Sequence, residues 1–307
     1  MPQDPTLLFV SLTVFILLML ALDLGVFNRT PHRVTMKEAG IWTSVWVSLA
    51  MIFNLGIWYF AGPEVALQFL TGYLVEESLS VDNIFVFVMI FSYFGVPAEF
   101  QHRILFWGVL GAIVLRSLFI AAGAALIAQF DWIFYVFGVI LLISGWKMMK
   151  STGVEVHPDR NLLVRLARKI FPVETGYTSP TFFVRKNGKL HITTLLIVLI
   201  AVETTDIVFA VDSIPAIFGI TRDPFIVYSS NLFAIMGLRS LYFLLAGIIN
   251  SFYYLSHGLS LVLIFIGVKM LVAGFFHIPI GASLAVVLGT ITISILASIY
   301  RSRRPQP

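Results

Sequence analysis

The chain has 307 residues, of which 59% are hydrophobic and only 12% are charged. Its mean hydropathy of +0.94 lies far above the values that are typical of soluble globular domains. The net charge of +4 falls mostly in loops and forms no basic, aromatic-interleaved patch, which argues against nucleic-acid binding. Cysteine is absent, which excludes disulfides, thiolate metal ligands and cysteine nucleophiles. The composition therefore predicts an all-α, polytopic membrane protein.

Apolar stretches long enough to cross the roughly 30 Å hydrocarbon core of a bilayer recur along the whole chain. They predict about nine transmembrane helices, near residues 5–27, 39–61, 65–92, 103–127, 131–150, 191–217, 225–249, 253–275 and 279–300. A Gly62-Pro63 step separates the second stretch from the third. The first stretch is longer than a signal-peptide core and lacks a basic leader, so we expect it to be retained.

Lysine and arginine concentrate in three polar segments, which are 28–38, 150–190 and the C-terminal tail. With nine spans, all three segments lie on one side of the membrane, and the positive-inside rule makes that side the cytoplasm. The N-terminus is then expected outside and the C-terminus inside. The basic stretch from Arg165 to Phe171 is predicted to be either a short helix on anionic lipid or part of a solvated linker.

The two halves of the chain carry a similar pattern of acids. Glu76 and Asp82 stand six residues apart in an apolar run, and Asp206 and Asp212 repeat that spacing. Carboxylates inside a membrane need a partner or a bound cation, because each ionised one costs roughly 2.5–3.5 kcal/mol at the bilayer centre.

The match between the halves extends beyond the acids. The interval from Arg116 to Lys147 is within one residue of the interval from Arg239 to Lys269. Each unit has three helices, an odd number, so the units are predicted to be inverted repeats, as in many secondary transporters. The predicted organisation is two N-terminal helices (1–64), the first repeat (65–150), a cytoplasmic linker (151–190), the second repeat (191–275), and a last helix with a basic tail (276–307).

Helical geometry limits which polar residues can meet. At about 100° per residue, the two acids of each pair lie about 120° apart on a straight helix. Glu76 does align with Asn83, and Asp206 aligns with Ser213. An unwound segment, for which Pro215 supplies a cause, would let all of these side chains converge.

Carboxylate, amide and hydroxyl oxygens together suit a hard cation such as Mn²⁺, Mg²⁺ or Ca²⁺. The predicted metal site comprises Glu76, Asp82, Asn83, Glu203, Asp206, Asp212 and Ser213. Glu77 aligns with Ile207 in the other half, so the repeat does not require an acid there and its role stays open. The structural alternative is that the acids pair with Arg116 and Arg239 and only hold the bundle together, although two arginines cannot neutralise all of the acids.

Three stretches, 73–83, 202–218 and 230–239, resemble the TerC family of membrane proteins, and its Alx branch in particular. The likeness covers nearly the whole chain and includes segments 183–188 and 276–280. It implies manganese export, an association with tellurite resistance, a place in the LysE superfamily of exporters and a bacterial inner-membrane location. The acids of the family motifs fall on Glu76, Asp82, Glu203, Asp206 and Asp212.

Export of a divalent cation against 100 mV requires about 4.6 kcal/mol, so it must be driven. The chain contains no Gly-x-x-x-x-Gly-Lys-Ser/Thr phosphate-binding loop. Since carboxylates in a low-dielectric site can exchange protons for metal, proton antiport is the simplest expectation. Its partners would be divalent ions, protons and the bilayer, with no cofactor.

Two other function classes are weighed against transport. A membrane scaffold or stress-response factor could bind partners through the 150–190 loop. An intramembrane enzyme could use paired aspartates, but the Gly-x-Gly-Asp and Asp-Gly-x-x-Ala-Arg motifs of such enzymes are absent, so no enzymatic activity is expected. Metal selectivity, stoichiometry and oligomeric state are left open by the sequence.

Overall fold

A computed structural model describes residues 5–22, 34–150, 161–174, 176–177, 181–186, 188–246, 253–276 and 278–302. Within these ranges the chain forms ten helices and three short strands. In chain order they are α1 (Pro5–Leu22), α2 (Met36–Ala61), α3 (Pro63–Phe94), α4 (Ala98–Gln129), α5 (Trp132–Lys150), α6 (Leu162–Ile170), β1 (Val173–Glu174), β2 (Phe183–Lys186), β3 (Lys189–Thr193), α7 (Thr194–Phe218), α8 (Pro224–Leu245), α9 (Leu255–Val272) and α10 (Ile280–Ser302).

Each of the nine predicted apolar stretches overlaps one helix, and α6 is additional. The ends of the first and seventh stretches, 23–27 and 247–249, lie outside the described residues. Among the described residues, six helices are long and apolar enough to cross a membrane, namely α2, α4, α5, α7, α9 and α10. A shorter apolar helix covers Thr6–Leu22. The protein is therefore a predominantly α-helical integral membrane protein.

The ends of the helices follow local sequence signals. Thr35 caps α2 through a capping box with Glu38. The predicted break between α2 and α3 is confirmed, because Gly62 adopts a φ of 93° and Pro63 opens α3. Gly95 ends α3 in the left-handed conformation, with a φ of 61°.

The helices of the two halves pack across each other. α3 lies along α8, α4 lies along α7, and α5 lies along α9. At the α5–α9 crossing the backbones touch: a Cβ on Gly138 would lie 3.1 Å from the carbonyl oxygen of Gly267, and a Cβ on Gly267 would lie 2.8 Å from that of Gly138. Around this core, α1 and α2 pack on α8, while α10 packs on α9 and α3.

The 151–190 interval, predicted as a linker, contains α6 and most of a three-stranded sheet with the strand order β1-β3-β2. β1 runs parallel to β3, and β2 runs antiparallel to it, with Phe183 opposite Ile192. Since β3 ends at Thr193 and α7 begins at the next residue, the sheet leads directly into α7. Buried Val164 and Ile192 join the apolar core at this end of the bundle. Over its described residues this interval is therefore a folded cap.

Candidate functional site

Arg116 lies at the centre of the bundle and contacts three other polar side chains. Its guanidinium forms an ion pair with Glu76 of α3. Its Nη2 and Nε donate hydrogen bonds to the two carboxylate oxygens of Asp206 on α7, at 3.0 and 3.3 Å. Its Nη1 donates to Ser213 Oγ at 3.3 Å. These four residues, Arg116, Glu76, Asp206 and Ser213, are called the charged centre below.

The charged centre is sealed from solvent. Arg116 and Glu76 are 0% exposed and Asp206 is 2% exposed. Val202 and Ala210, one helical turn to either side of Asp206, are buried in apolar cores. Charges in such surroundings are held only by one another. One arginine facing two carboxylates leaves an excess negative charge unless one carboxyl holds a proton.

Two further aspartates flank the charged centre, and each bonds to a serine of the other half. Asp82 on α3 accepts a hydrogen bond from Ser256 Oγ of α9 at 3.0 Å. Asp212 on α7 accepts one from Ser144 Oγ of α5 at 2.5 Å. The two acids on each helix thus face different neighbours, as their separation of about 120° around a straight helix predicts.

α7 is continuous through Pro215, so the unwound segment considered from the sequence is absent. The missing N–H of proline removes one helical hydrogen bond, but Ala216 and Ile217 beside it are 0% exposed and hold this turn by packing. The polar side chains of the charged centre are brought together by the packing of three separate helices, α3, α4 and α7.

Glu203 depends on a glycine of the neighbouring helix. Its carboxylate lies against the backbone of α4 at Gly111, where an added Cβ would collide with it. The Oε2 atom of Glu203 is buried and has no hydrogen-bond partner. Gly111 therefore makes room for the carboxylate, a role that becomes visible only once α4 and α7 are packed.

The remaining predicted residues are divided among several surroundings. Asn83 is 2% exposed, and Ser80, on the same face of α3, has a buried hydroxyl without a hydrogen-bond partner. Glu77 points instead toward α8, where its Oε1 would lie 3.6 Å from a Cβ on Gly237. Arg239 is buried in α8 with 7% exposure.

The structure therefore divides the seven predicted metal ligands among several places. Glu76, Asp206 and Ser213 surround Arg116, Asp82 and Asp212 bond to serines, and Glu203 lies against α4. Over the described part of the chain, no group of three or more Asp, Glu or His side chains is placed to hold a metal ion. The metal site stays a prediction, and Arg116 provides the positive charge in this arrangement.

A small void borders Asp206 of the charged centre between α3, α4, α7 and α8. It is lined by Phe87, Leu105, Gly108, Val109, Ala112, Val202, Asp206 and Leu238. Asp206 is the only charged residue in this lining, so the void leaves one carboxylate in otherwise apolar surroundings. Gly108 lies beside Val202 in this lining, and a Cβ there would make an ordinary contact with it at 3.4 Å.

Comparisons with known proteins show which family the chain is similar to. A family model described as "Integral membrane protein TerC family" matches residues 61–306. An uncharacterized membrane protein of Myxococcus xanthus is 51% identical over 296 residues, covering 96% of this chain and 93% of the relative. A protein of Escherichia coli K12 named "Putative membrane-bound redox modulator Alx" is 49% identical over 308 residues, covering 97% and 96%. A Rickettsia bellii membrane protein is 38% identical over 283 residues, covering 92% and 94%. No solved structure matches the chain.

Proposed function

Because this chain belongs to the TerC family of integral membrane proteins, we propose that it exports divalent metal cations, in the first place Mn²⁺, from a bacterial cell in exchange for protons. The observation that carries the proposal is the charged centre, where one arginine faces two carboxylates inside a membrane bundle. A purely structural ion pair needs only one acid. The further acids, Asp82, Asp212 and Glu203, oppose insertion by roughly 2.5–3.5 kcal/mol each if ionised, which calls for a function that uses them.

The proposal includes nine membrane spans and two inverted three-helix repeats in the inner membrane. The packing of α3 on α8 and of α4 on α7 supports it, because exchanging the halves converts one contact into the other. The Asp82–Ser256 and Asp212–Ser144 bonds likewise join the first helix of one half to the third helix of the other. With basic segments in the cytoplasm, the N-terminus lies outside and the C-terminus inside.

Arg116 acts in this scheme as a built-in substitute for the transported cation. When no metal is present, its guanidinium keeps Glu76 and Asp206 paired. Mn²⁺ that reaches the charged centre competes with the guanidinium for these carboxylates, which are ligands of the hard-oxygen type that it prefers. Asn83 and Ser213 add neutral oxygen ligands, and Asp82 and Asp212 complete the predicted set.

Protons provide the driving force in the proposed cycle. Since the charge of one arginine cannot balance two ionised carboxylates, the charged centre can hold at least one exchangeable proton. Two protons entering for each Mn²⁺ leaving would move no net charge and would remove the cost of about 4.6 kcal/mol that a membrane potential of 100 mV imposes.

Asp212→Asn tests the proposal in proteoliposomes that contain Mn²⁺ and a pH-sensitive dye. Asparagine has nearly the size of aspartate and can still accept a hydrogen bond from Ser144, so we expect normal membrane abundance but no Mn²⁺ export. Asp131→Asn is the matched control, because the Asp131 side chain is 93% exposed between α4 and α5. Normal export by Asp212→Asn at normal abundance would refute the proposed site.

A membrane scaffold without transport is the second candidate, favoured by the folded cap of α6 and the sheet at one end of the bundle. Relatives carry the name of a redox modulator, but this chain has no cysteine and so offers no thiol for redox chemistry. Asp82→Asn separates the two candidates. If the protein is a scaffold, this variant keeps the cellular phenotype, and neither the variant nor the wild type shows Mn²⁺ flux. If it is an exporter, the variant loses both the flux and the phenotype.

A further inference from the structure

Helix α6 carries an apolar stripe that faces solvent in the described part of the chain. Leu162, Leu163, Leu166 and Ile170 are 75%, 43%, 49% and 61% exposed. At about 100° per residue they fall within about 100° of one another around the helix axis. A helix on the surface of a soluble domain turns such a stripe inward, so this one indicates a binding surface.

The opposite face of α6 is fixed to the bundle. Val164 is 0% exposed and belongs to the same apolar core as Ile104 of α4 and Leu195 of α7. Asn161 caps the N-terminus of the helix, because its side-chain oxygen accepts hydrogen bonds from the backbone N–H groups of Leu163 and Val164. The apolar stripe is therefore held rigidly outward.

The level of α6 along the bundle is given by its neighbours on α4. Phe182, just before β2, lies under the Arg103 guanidinium at 5.3 Å and meets the Trp107 ring edge-to-face at 6.2 Å. Tryptophan and arginine near the end of an apolar helix mark the membrane–water interface. Phe182 O accepts a hydrogen bond from the Thr193 N–H, and Pro172 O, two residues after α6, accepts one from the Ile192 N–H. The end of α6 therefore lies beside Phe182, at the level of that interface.

The charge beside the stripe indicates what the stripe binds. Arg165 and Lys169 are exposed and lie together on one edge of the apolar stripe. The cytoplasmic leaflet of a membrane carries anionic lipid, which attracts exposed lysine and arginine at this depth. An apolar stripe edged with basic residues is the pattern of helices that lie in the plane of an anionic membrane.

We propose that α6 is an in-plane membrane-binding helix that docks on anionic phospholipid of the bilayer around the protein. Its leucine and isoleucine side chains enter the boundary between headgroups and acyl chains, and Arg165 and Lys169 contact the phosphates. Because α6 packs on α7, the lipid also helps to hold the cytoplasmic end of the helix that carries Asp206 and Asp212. This inference concerns the lipid surface and stands independently of the transported ion.

The absence of native cysteine allows a direct measurement of depth in the full-length protein. A spin label is attached at Leu166→Cys, and relaxation by lipid-soluble oxygen and by a water-soluble nickel chelate is compared in bilayers with and without phosphatidylglycerol. Lys186→Cys on β2 is the control, because its side chain is 56% exposed and pairs with Glu174. We expect the label at 166 to favour oxygen and the label at 186 to favour nickel.

Neutralising the basic edge tests the anionic component. Arg165→Gln with Lys169→Gln should reduce the depth of the label at 166 in phosphatidylglycerol bilayers to the depth found in phosphatidylcholine alone. A label at 166 that is as accessible to nickel as the label at 186 overturns the proposal. Shielding of this label from both reagents also overturns it, because it indicates a protein neighbour, and an unchanged depth in the neutralised variant overturns the role of anionic lipid.

Discussion

Arg116 joins three helices through a single side chain, since it contacts Glu76 on α3 and both Asp206 and Ser213 on α7 from its position on α4. Such a group is costly to disrupt one member at a time, because the remaining charges stay buried without a partner. The same arrangement makes the residue suitable for exchange with a cation, since another positive charge can take its place between the two carboxylates.

Arg116→Gln should therefore destabilise the protein by about 3–5 kcal/mol and lower its abundance in the membrane. Thermal unfolding in detergent, followed by tryptophan fluorescence, measures the effect. Combining it with Glu76→Gln and Asp206→Asn should restore stability without restoring Mn²⁺ export, because no uncompensated charge remains. A stable single variant would mean that the ion pairs do not hold the three helices.

Gly111→Ala should lower stability by about 1–3 kcal/mol, since the added methyl group would collide with the Glu203 carboxylate. The same thermal measurement applies. Gly56→Ala on α2 is the matched control, because no atom lies within 4 Å of a Cβ there and alanine favours the helix. Adding Glu203→Ala to Gly111→Ala should recover most of the loss, and failure to recover would assign the collision to the backbone instead.

Of the site, the sequence allowed the acids, Ser213 and the charge partner Arg116 to be predicted, but not the serines that bond to Asp82 and Asp212. Acids in an apolar run can be recognised in a sequence, because charged residues are rare in membrane-spanning helices. Ser144 and Ser256 cannot, since serine is common in membrane helices and a bond across helices depends on packing angles. Ser144 lies three residues before Lys147, which ends the repeated arginine-to-lysine interval, and this position was the available signal.

At the scale of the helices, the crossing of α5 and α9 positions Ser144, which contacts the site. A Cβ on Gly145 would lie 2.8 Å from the carbonyl oxygen of Ser260, so α5 approaches α9 backbone to backbone. The residue before it, Ser144, donates to Asp212. A displacement of α5 from α9 should therefore lengthen or break the hydrogen bond between Ser144 and Asp212.

Gly145→Val should lower stability by about 1–3 kcal/mol and should reduce Mn²⁺ export together with it, because Ser144 moves away from Asp212. Gly289→Ala on α10 serves as the control, since a Cβ there meets no atom within 4 Å. Unfolding temperature and proteoliposome flux are measured on the same preparations. Full export by a destabilised Gly145→Val variant would show that the α5 contact serves folding alone.

The long helices were predictable because about 20 apolar residues in succession have few other uses. The sheet was missed, since its strands are two to five residues long and gain their burial from helix ends. The dipeptide Asn187-Gly188 is a hairpin signature that would have indicated β2 and β3, and Gly188 has a φ of 76°. Pro215 was misleading because packing, which a sequence does not display, keeps α7 intact.

At the scale of the whole molecule, the proposed exchange of two protons for one Mn²⁺ has an electrical signature. Transport should follow a pH gradient and should be nearly indifferent to a potassium diffusion potential of about 100 mV, because no net charge crosses. Proteoliposomes loaded with Mn²⁺ should acidify inside as the metal leaves. A large voltage response without proton movement would indicate a channel or uniporter, in which case antiport is dropped while the metal site stands.

The partnership of Arg116 and Asp206 also governs how the protein is made, since the two residues are 90 positions apart in the chain. At a synthesis rate of about 5–20 residues per second, Asp206 emerges from the ribosome roughly 5–20 s after Arg116. During this interval Glu76 is the only acid of the charged centre available to the arginine. Because α3 packs mainly on α8 and α4 mainly on α7, we expect the first half to lack its main packing partners until the second half is synthesised. We therefore expect folding to be completed only when the second half packs onto the first.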